Sequence, residues 1–137
     1  MILVDTSVLI DYFKGAENRV TTCFDRILAS RVHFGINDVI FMELLQGARS
    51  HDEFRQLKEY LETVPFYSLL QGKTSYEQAA LLSVKCRKSG VTVRSTVDVL
   101  IAQTAIENGL FLLHNDRDFE HMSSVIPELK LYSINQG

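Results

Sequence analysis

Ile2-Leu3-Val4-Asp5-Thr6-Ser7 is a short, non-alternating apolar run that ends on an acid. A run without alternation reads as a strand buried on both faces, as in a parallel sheet. The same design returns near the other end, where Leu110-Phe111-Leu112-Leu113 leads into His114-Asn115-Asp116-Arg117-Asp118. Between them, Glu43 lies inside an apolar helical stretch and Asp98 opens another. In an open α/β sheet the ligand site lies outside the carboxyl ends of the strands. Acids gathered there repel one another unless a hard cation joins them, and oxygen-only clusters suit Mg²⁺ or Mn²⁺.

Working outward, short strands alternate with helical patterns. Thr6 or Ser7 is positioned to cap a helix through Phe13 that stops at Lys14-Gly15, and Asn18 to cap the next. Val32–Ile36 reads as a second strand, and Asn37-Asp38 opens the helix of Glu43, which stops near Gly47. Asp52 opens a further helix. Val64–Tyr67 is a weak strand that Pro65 pushes to an edge. Thr74-x-x-Glu77 reads as a capping box for a long helix through Lys88, closed by Gly90. Ser95 or Thr96 caps the Asp98 helix, which ends at Asn108-Gly109; strands at Leu110–Leu113 and Leu129–Ile134 follow. Helices between strands imply right-handed crossovers. The expected fold is a three-layer α/β/α domain over residues 1–137, with a central, mainly parallel sheet of four to five strands.

Composition narrows the function classes. The chain has 137 residues, enough for one core without staples. Hydrophobic residues make up 46% and charged residues 23%, the balance of a soluble globular protein. No apolar stretch approaches the ~20 residues of a membrane span, and no signal-peptide pattern precedes the first strand. Cys23 and Cys86 fall in apolar helical patterns and read as buried free thiols of a cytoplasmic protein. Net charge is −3, which argues mildly against a polyanion partner. Pooling several acids at one metal centre leaves the remaining surface near balance, with Lys85, Arg87, Lys88 and Arg94 available to face nucleic acid. None of the four histidines shows zinc-ligand spacing.

Each acid also has an ordinary reading: Asp5 as a helix N-cap, Asp98 as a dipole-stabilising first-turn residue, Asp118 as a cap for the Phe119 helix. Glu43 stands apart, because few positions around it look polar. The joint arrangement is more telling than any single acid. Asp5-Thr6-Ser7, Glu43-Leu44-Leu45-x-Gly47, Asp98-x-x-Ile101-Ala102 and Leu112–Phe119 resemble, in order and spacing, the PIN-domain ribonucleases, specifically the VapC-type toxins of toxin–antitoxin pairs. The likeness spans residues 2 to about 134.

That resemblance implies an Mg²⁺- or Mn²⁺-dependent endoribonuclease. It places Asp5, Glu43, Asp98 and Asp116 in the family's acidic quartet, with Asp118 as a fifth metal-site acid and Glu43 orienting water. Thr6, Ser7, Arg94 and Asn115 become candidates for contacting substrate or orienting carboxylates. The implied partners are RNA, a cognate antitoxin laying a segment across the active-site groove, and a second copy of the chain. Two rival readings stand beside it: a non-catalytic interaction module with the same fold, and an Mg²⁺-binding receiver-like signalling domain. The receiver reading is weakened because Asp5 stands alone after the first strand, where a receiver carries an acidic pair.

Overall fold

The computed structural model describes residues 1–134; the last three positions of the expected domain lie outside the described residues. Strand β1 (Ile2–Val4) is followed by α1 (Thr6–Phe13) and α2 (Arg19–Ala29). Next come β2 (Phe34–Gly35), α3 (Asp38–Gln46), α4 (His51–Glu62) and α5 (Lys73–Lys88). Helix α6 (Thr96–Glu107), strand β3 (Phe111–Leu113) and α7 (Arg117–Val125) complete the order.

The sheet runs β2-β1-β3 and is parallel throughout, with Ile2 opposite both Phe34 and Phe111. Ile2, Leu3 and Val4 are 1%, 0% and 0% exposed. Successive strand side chains point to opposite faces, so both faces of β1 are covered and the layering is α/β/α. Among the described residues three strands form, rather than four to five. The 64–67 and 129–134 segments contribute only single parallel bridges, Ile36 to Phe66 and Leu112 to Leu131, one at each edge. Pro65 lacks the N–H a longer edge ladder needs; its carbonyl accepts from Ile36 N at 3.0 Å and Tyr67 N donates to Ile36 O at 2.8 Å. Gly35 permits this approach, since a Cβ there would lie 2.5 Å from both Pro65 O and Tyr67 Cε2.

Several caps differ from expectation. Asp5 rather than Thr6 or Ser7 caps α1, accepting from Ser7 N, which is the ordinary reading of that acid. Asn18 caps α2 in a reciprocal box with Thr21, and Asn37 caps α3, both as read from sequence. Ser50 caps α4, leaving Asp52 in its first turn. Helix α5 starts at Lys73 after Gly72, whose φ is 55°, with no side-chain cap; Thr74 is already helical and its capping box does not form. Ser95 precedes α6 but makes no capping bond. Helix α6 is buried almost all round, at Val99, Ile101, Ala102, Ala105 and also Gln103 and Thr104. Its buried polar groups are satisfied: Asn37 Nδ2 donates to Thr104 Oγ1, and Thr104 Oγ1 to Leu100 O. At its end, Glu107 accepts from Leu70 N, Ser75 Oγ and Gln103 Nε2, latching the 68–75 segment to α6. Cys23 and Cys86 are buried free thiols.

Candidate active site

Three helix N-termini and one helix interior supply the acids. β1 delivers Asp5 directly into the cap of α1, and its backbone N donates to Leu113 O, the last residue of β3. The ends of the two central strands are thereby tied side by side. Asp116 caps α7, with Oδ1 accepting from Asp118 N at 3.0 Å. Because Asp116 does the capping, the Asp118 carboxylate is released from that duty. Asp98 stands in the first turn of α6. The positive ends of α1, α6 and α7 partly offset this concentration of negative charge.

Asp98, Asp116 and Asp118 each offer a carboxylate oxygen, and these oxygens lie within 4.8 Å of one another. Asp5 and Glu43 are outside that triplet but interact electrostatically with it. Asp98 is pushed up to about 7, first by burial and then by repulsion from Asp5, Asp116, Glu43 and Asp118. Asp5, only 4% exposed, is also raised. Burial is the main cause; bonds from Ser7 oppose it and the charge of Glu43 adds to it. All five sequence-selected acids therefore belong to one electrostatic unit. An oxygen-only donor set, whose members repel until neutralised, fits a hard divalent cation.

The hydroxyls beside these acids hold carboxylates. Ser7 Oγ donates to Asp5 Oδ2 at 2.6 Å, reinforced by Ser7 N at 3.0 Å. Thr6 Oγ1 donates to Glu43 Oε1 at 2.7 Å, fixing the one acid that projects from a helix interior. Asn115 N donates to Ser7 Oγ at 2.9 Å, and its side chain is also engaged, with Nδ2 donating to Asp11 Oδ2. Arg94 is exposed in the segment before α6. Among the described residues no ion pair joins it to an acid. Nothing in the sequence points to Asp11: it sits mid-helix, and the partner that ties it to the site, Asn115, lies 104 positions away.

His114 adjoins the acids without acting as an evident proton donor. Its ring packs on Phe119 and its Nδ1 accepts from Asp116 N at 3.1 Å. Burial holds it below the usual histidine range, against the opposing pull of Glu120 and Asp116. Beside the acids, a groove of about 820 Å³ starts at Glu43 and runs between α1, α3 and α4, lined by Ile10, Phe13, Arg49, Leu57 and Tyr60 among others.

The PIN domain family model matches residues 2–125. This chain belongs to the PIN domain family. The match reaches from the first strand to the end of α7, so it includes all five acids of the site. Ribonuclease VapC11 of Mycobacterium tuberculosis is 29% identical over 126 residues, covering 91% of this chain and 93% of that protein. Among solved structures, VapBC2 from Rickettsia felis has a TM-score of 0.74 at 18% identity, covering 96% of this chain and 98% of that one. VapBC-1 from nontypeable Haemophilus influenzae has a TM-score of 0.72 at 19% identity, covering 99% and 100%. At these identities the two structural likenesses speak to the fold. PIN membership removes the receiver-like reading, whose acids follow different strands. No helix among the described residues is long and apolar enough to cross a membrane.

Proposed function

We propose that this protein is a divalent-metal-dependent endoribonuclease and the toxin of a toxin–antitoxin pair. The observation that carries the reading is the coupling of all five acids, with three carboxylates within 4.8 Å, at the carboxyl end of the central strands. Its similarity to a curated VapC ribonuclease over nearly the full length supports RNA as substrate.

Asp98, Asp116 and Asp118, with Asp5 behind them, would hold Mg²⁺, with Mn²⁺ as a substitute. When bound, the cation supplies charge neutralisation at the phosphate and lowers the pKa of a water. The chain does the rest. Thr6 fixes Glu43 so that its second oxygen can orient the attacking water. Ser7 fixes Asp5, and Asp98 gives up its proton as the centre is neutralised. Thr6 and Ser7 act on substrate through the acids they hold, while Arg94 and the remaining polar atoms of Asn115 contact the RNA phosphate or unpaired bases. Because water is the nucleophile, no catalytic Ser, Cys or His is required.

The groove from Glu43 across α1, α3 and α4 is the natural seat for an antitoxin segment. A toxin–antitoxin complex from Klebsiella pneumoniae among the fold neighbours supports such a partner. A homodimer in the cytoplasm and a single catalytic domain over residues 1–137 complete the reading. Incubating purified, antitoxin-free protein with total bacterial RNA tests it, with Mg²⁺ or Mn²⁺ against EDTA and an Asp5→Ala control. Discrete metal-dependent fragments, lost in the variant, are expected. Folded protein that cleaves nothing with either metal favours the non-catalytic interaction module.

A further inference from the structure

We infer that Asp11 is a positioning residue for the acidic centre, holding the 114–118 segment against α1 and α2 through two side-chain amides. Asp11 is half-buried in α1. Its Oδ2 accepts from Asn115 Nδ2 at 2.9 Å and from Asn18 Nδ2 at 3.1 Å. Asn18 is itself fixed, since its Oδ1 accepts from Val20 N and Thr21 N at the start of α2. Asn115 is gripped at a second point, where its backbone N donates to Ser7 Oγ. Ser7 and Asp11 stand four residues apart, on one face of one helix. Helix α1 therefore clasps Asn115 by backbone and side chain together, and the first grip continues through Ser7 Oγ to Asp5 Oδ2.

The clasp bears on the acids because Asn115 is joined directly to one of them. His114, Asn115 and Asp116 lie between the end of β3 and the start of α7, in neither strand nor helix. Asp116 is one peptide bond from Asn115 and belongs to the triplet with Asp98 and Asp118. Repulsion among those carboxylates favours opening of the segment whenever they are not neutralised. Hydrogen bonds to rigid elements oppose that opening, and such supporting contacts around metal-site carboxylates commonly tune affinity by about 10–100-fold. Asp11 itself is not in the carboxylate triplet, and its Oδ2 is filled by two amide donors. It acts through Asn115, not as a ligand.

The inference rests on the metal-centre reading above, and the experiment separates the two. Mn²⁺ binding to the full-length protein is measured by electron paramagnetic resonance for wild type, Asp11→Ala, Asp11→Asn, Asn115→Ala and the Asp11→Ala/Asn115→Ala double variant. Circular dichroism checks folding, and RNA cleavage is assayed in parallel. Asp11→Ala is expected to weaken Mn²⁺ about tenfold. Asp11→Asn should stay near wild type, because its amide oxygen can accept both donors without the charge. Asn115→Ala should match Asp11→Ala and keeps the test alive if the latter fails to fold, since it leaves the Asn18 bond intact. The double variant should be no weaker than either single one. Unchanged affinity in Asp11→Ala and Asn115→Ala overturns the inference, as do additive losses. An Asp11→Asn as weak as Asp11→Ala also overturns it, by showing that charge matters rather than position. Wild type that binds Mn²⁺ with the expected variant pattern yet cuts no RNA supports the positioning role and rejects the nuclease reading.

Discussion

The Thr6 hydroxyl donates to Glu43 Oε1 at 2.7 Å, joining the first turn of α1 to the middle of α3 across 37 positions of sequence. Glu43 is the one site acid that no helix terminus orients, so this bond sets its direction. Thr6→Val keeps the shape and removes the donor. It is expected to lower kcat about tenfold with little change in KM, as loss of an orienting partner does. Thr6→Ser should retain most activity. Steady-state kinetics on an RNA oligonucleotide check this; a Thr6→Val variant with wild-type kcat would remove Glu43 orientation from the account.

The acids also leave a mark on stability. Asp98 rises from 3.8 to about 7 on folding, chiefly through burial and then through its neighbours. Between about pH 4 and pH 7 the native metal-free protein therefore holds a proton that the unfolded chain releases. Stability then falls as pH rises through that window, and the penalty is fully present above it. Asp5, also raised, contributes in the same direction. Asp98→Asn should raise the Tm of the metal-free protein at pH 8 by about 3 °C, with the gain vanishing near pH 4. Melting curves across pH, recorded in EDTA, read this directly. A variant that melts below wild type at pH 8 would make Asp98 a structural residue.

Gly35 carries a packing prediction. A Cβ at that position would press into the Pro65 carbonyl and the Tyr67 ring, the first of which is backbone and cannot swing aside. Gly35→Ala should cost about 3 kcal/mol and loosen the bridge from Ile36 to Phe66. Urea unfolding measures the loss. A cost below about 0.5 kcal/mol, the range of surface substitutions, would show that the 64–67 segment is free to move away.

The elements most legible in the sequence were those whose signal is local. Ile2–Val4 and Leu110–Leu113 announce buried parallel strands, and Asn18 and Asn37 announce caps, because the deciding atoms lie within three residues. The acids were legible because the sheet brings strand ends together, so position along the chain translates into position in space. Asp118 illustrates the limit. Its competing role as a cap was decided by Asp116, whose side chain takes the Asp118 N–H first. Thr74 has the pattern of a capping residue, yet with Gly72 at the N-cap α5 begins two residues too early for it. The 64–67 segment forms a single bridge because Pro65 has no N–H with which to extend the ladder, and the 129–134 segment likewise pairs only through Leu131. Asp11 could not be singled out, since nothing near it in sequence reveals Asn115.

On the proposed reading, the site hydrolyses RNA with water activated at a carboxylate centre. His114 adjoins the acids, but its Nδ1 lone pair is engaged by Asp116 N, which makes it a poor base for attack by the RNA 2′-hydroxyl. The most direct measurement is the chemical identity of the fragment ends released from RNA in Mg²⁺. Linear monophosphate ends with intact 2′-hydroxyls, absent in EDTA, are the predicted result. Ends bearing 2′,3′-cyclic phosphate, or cleavage that persists in EDTA, would contradict the account.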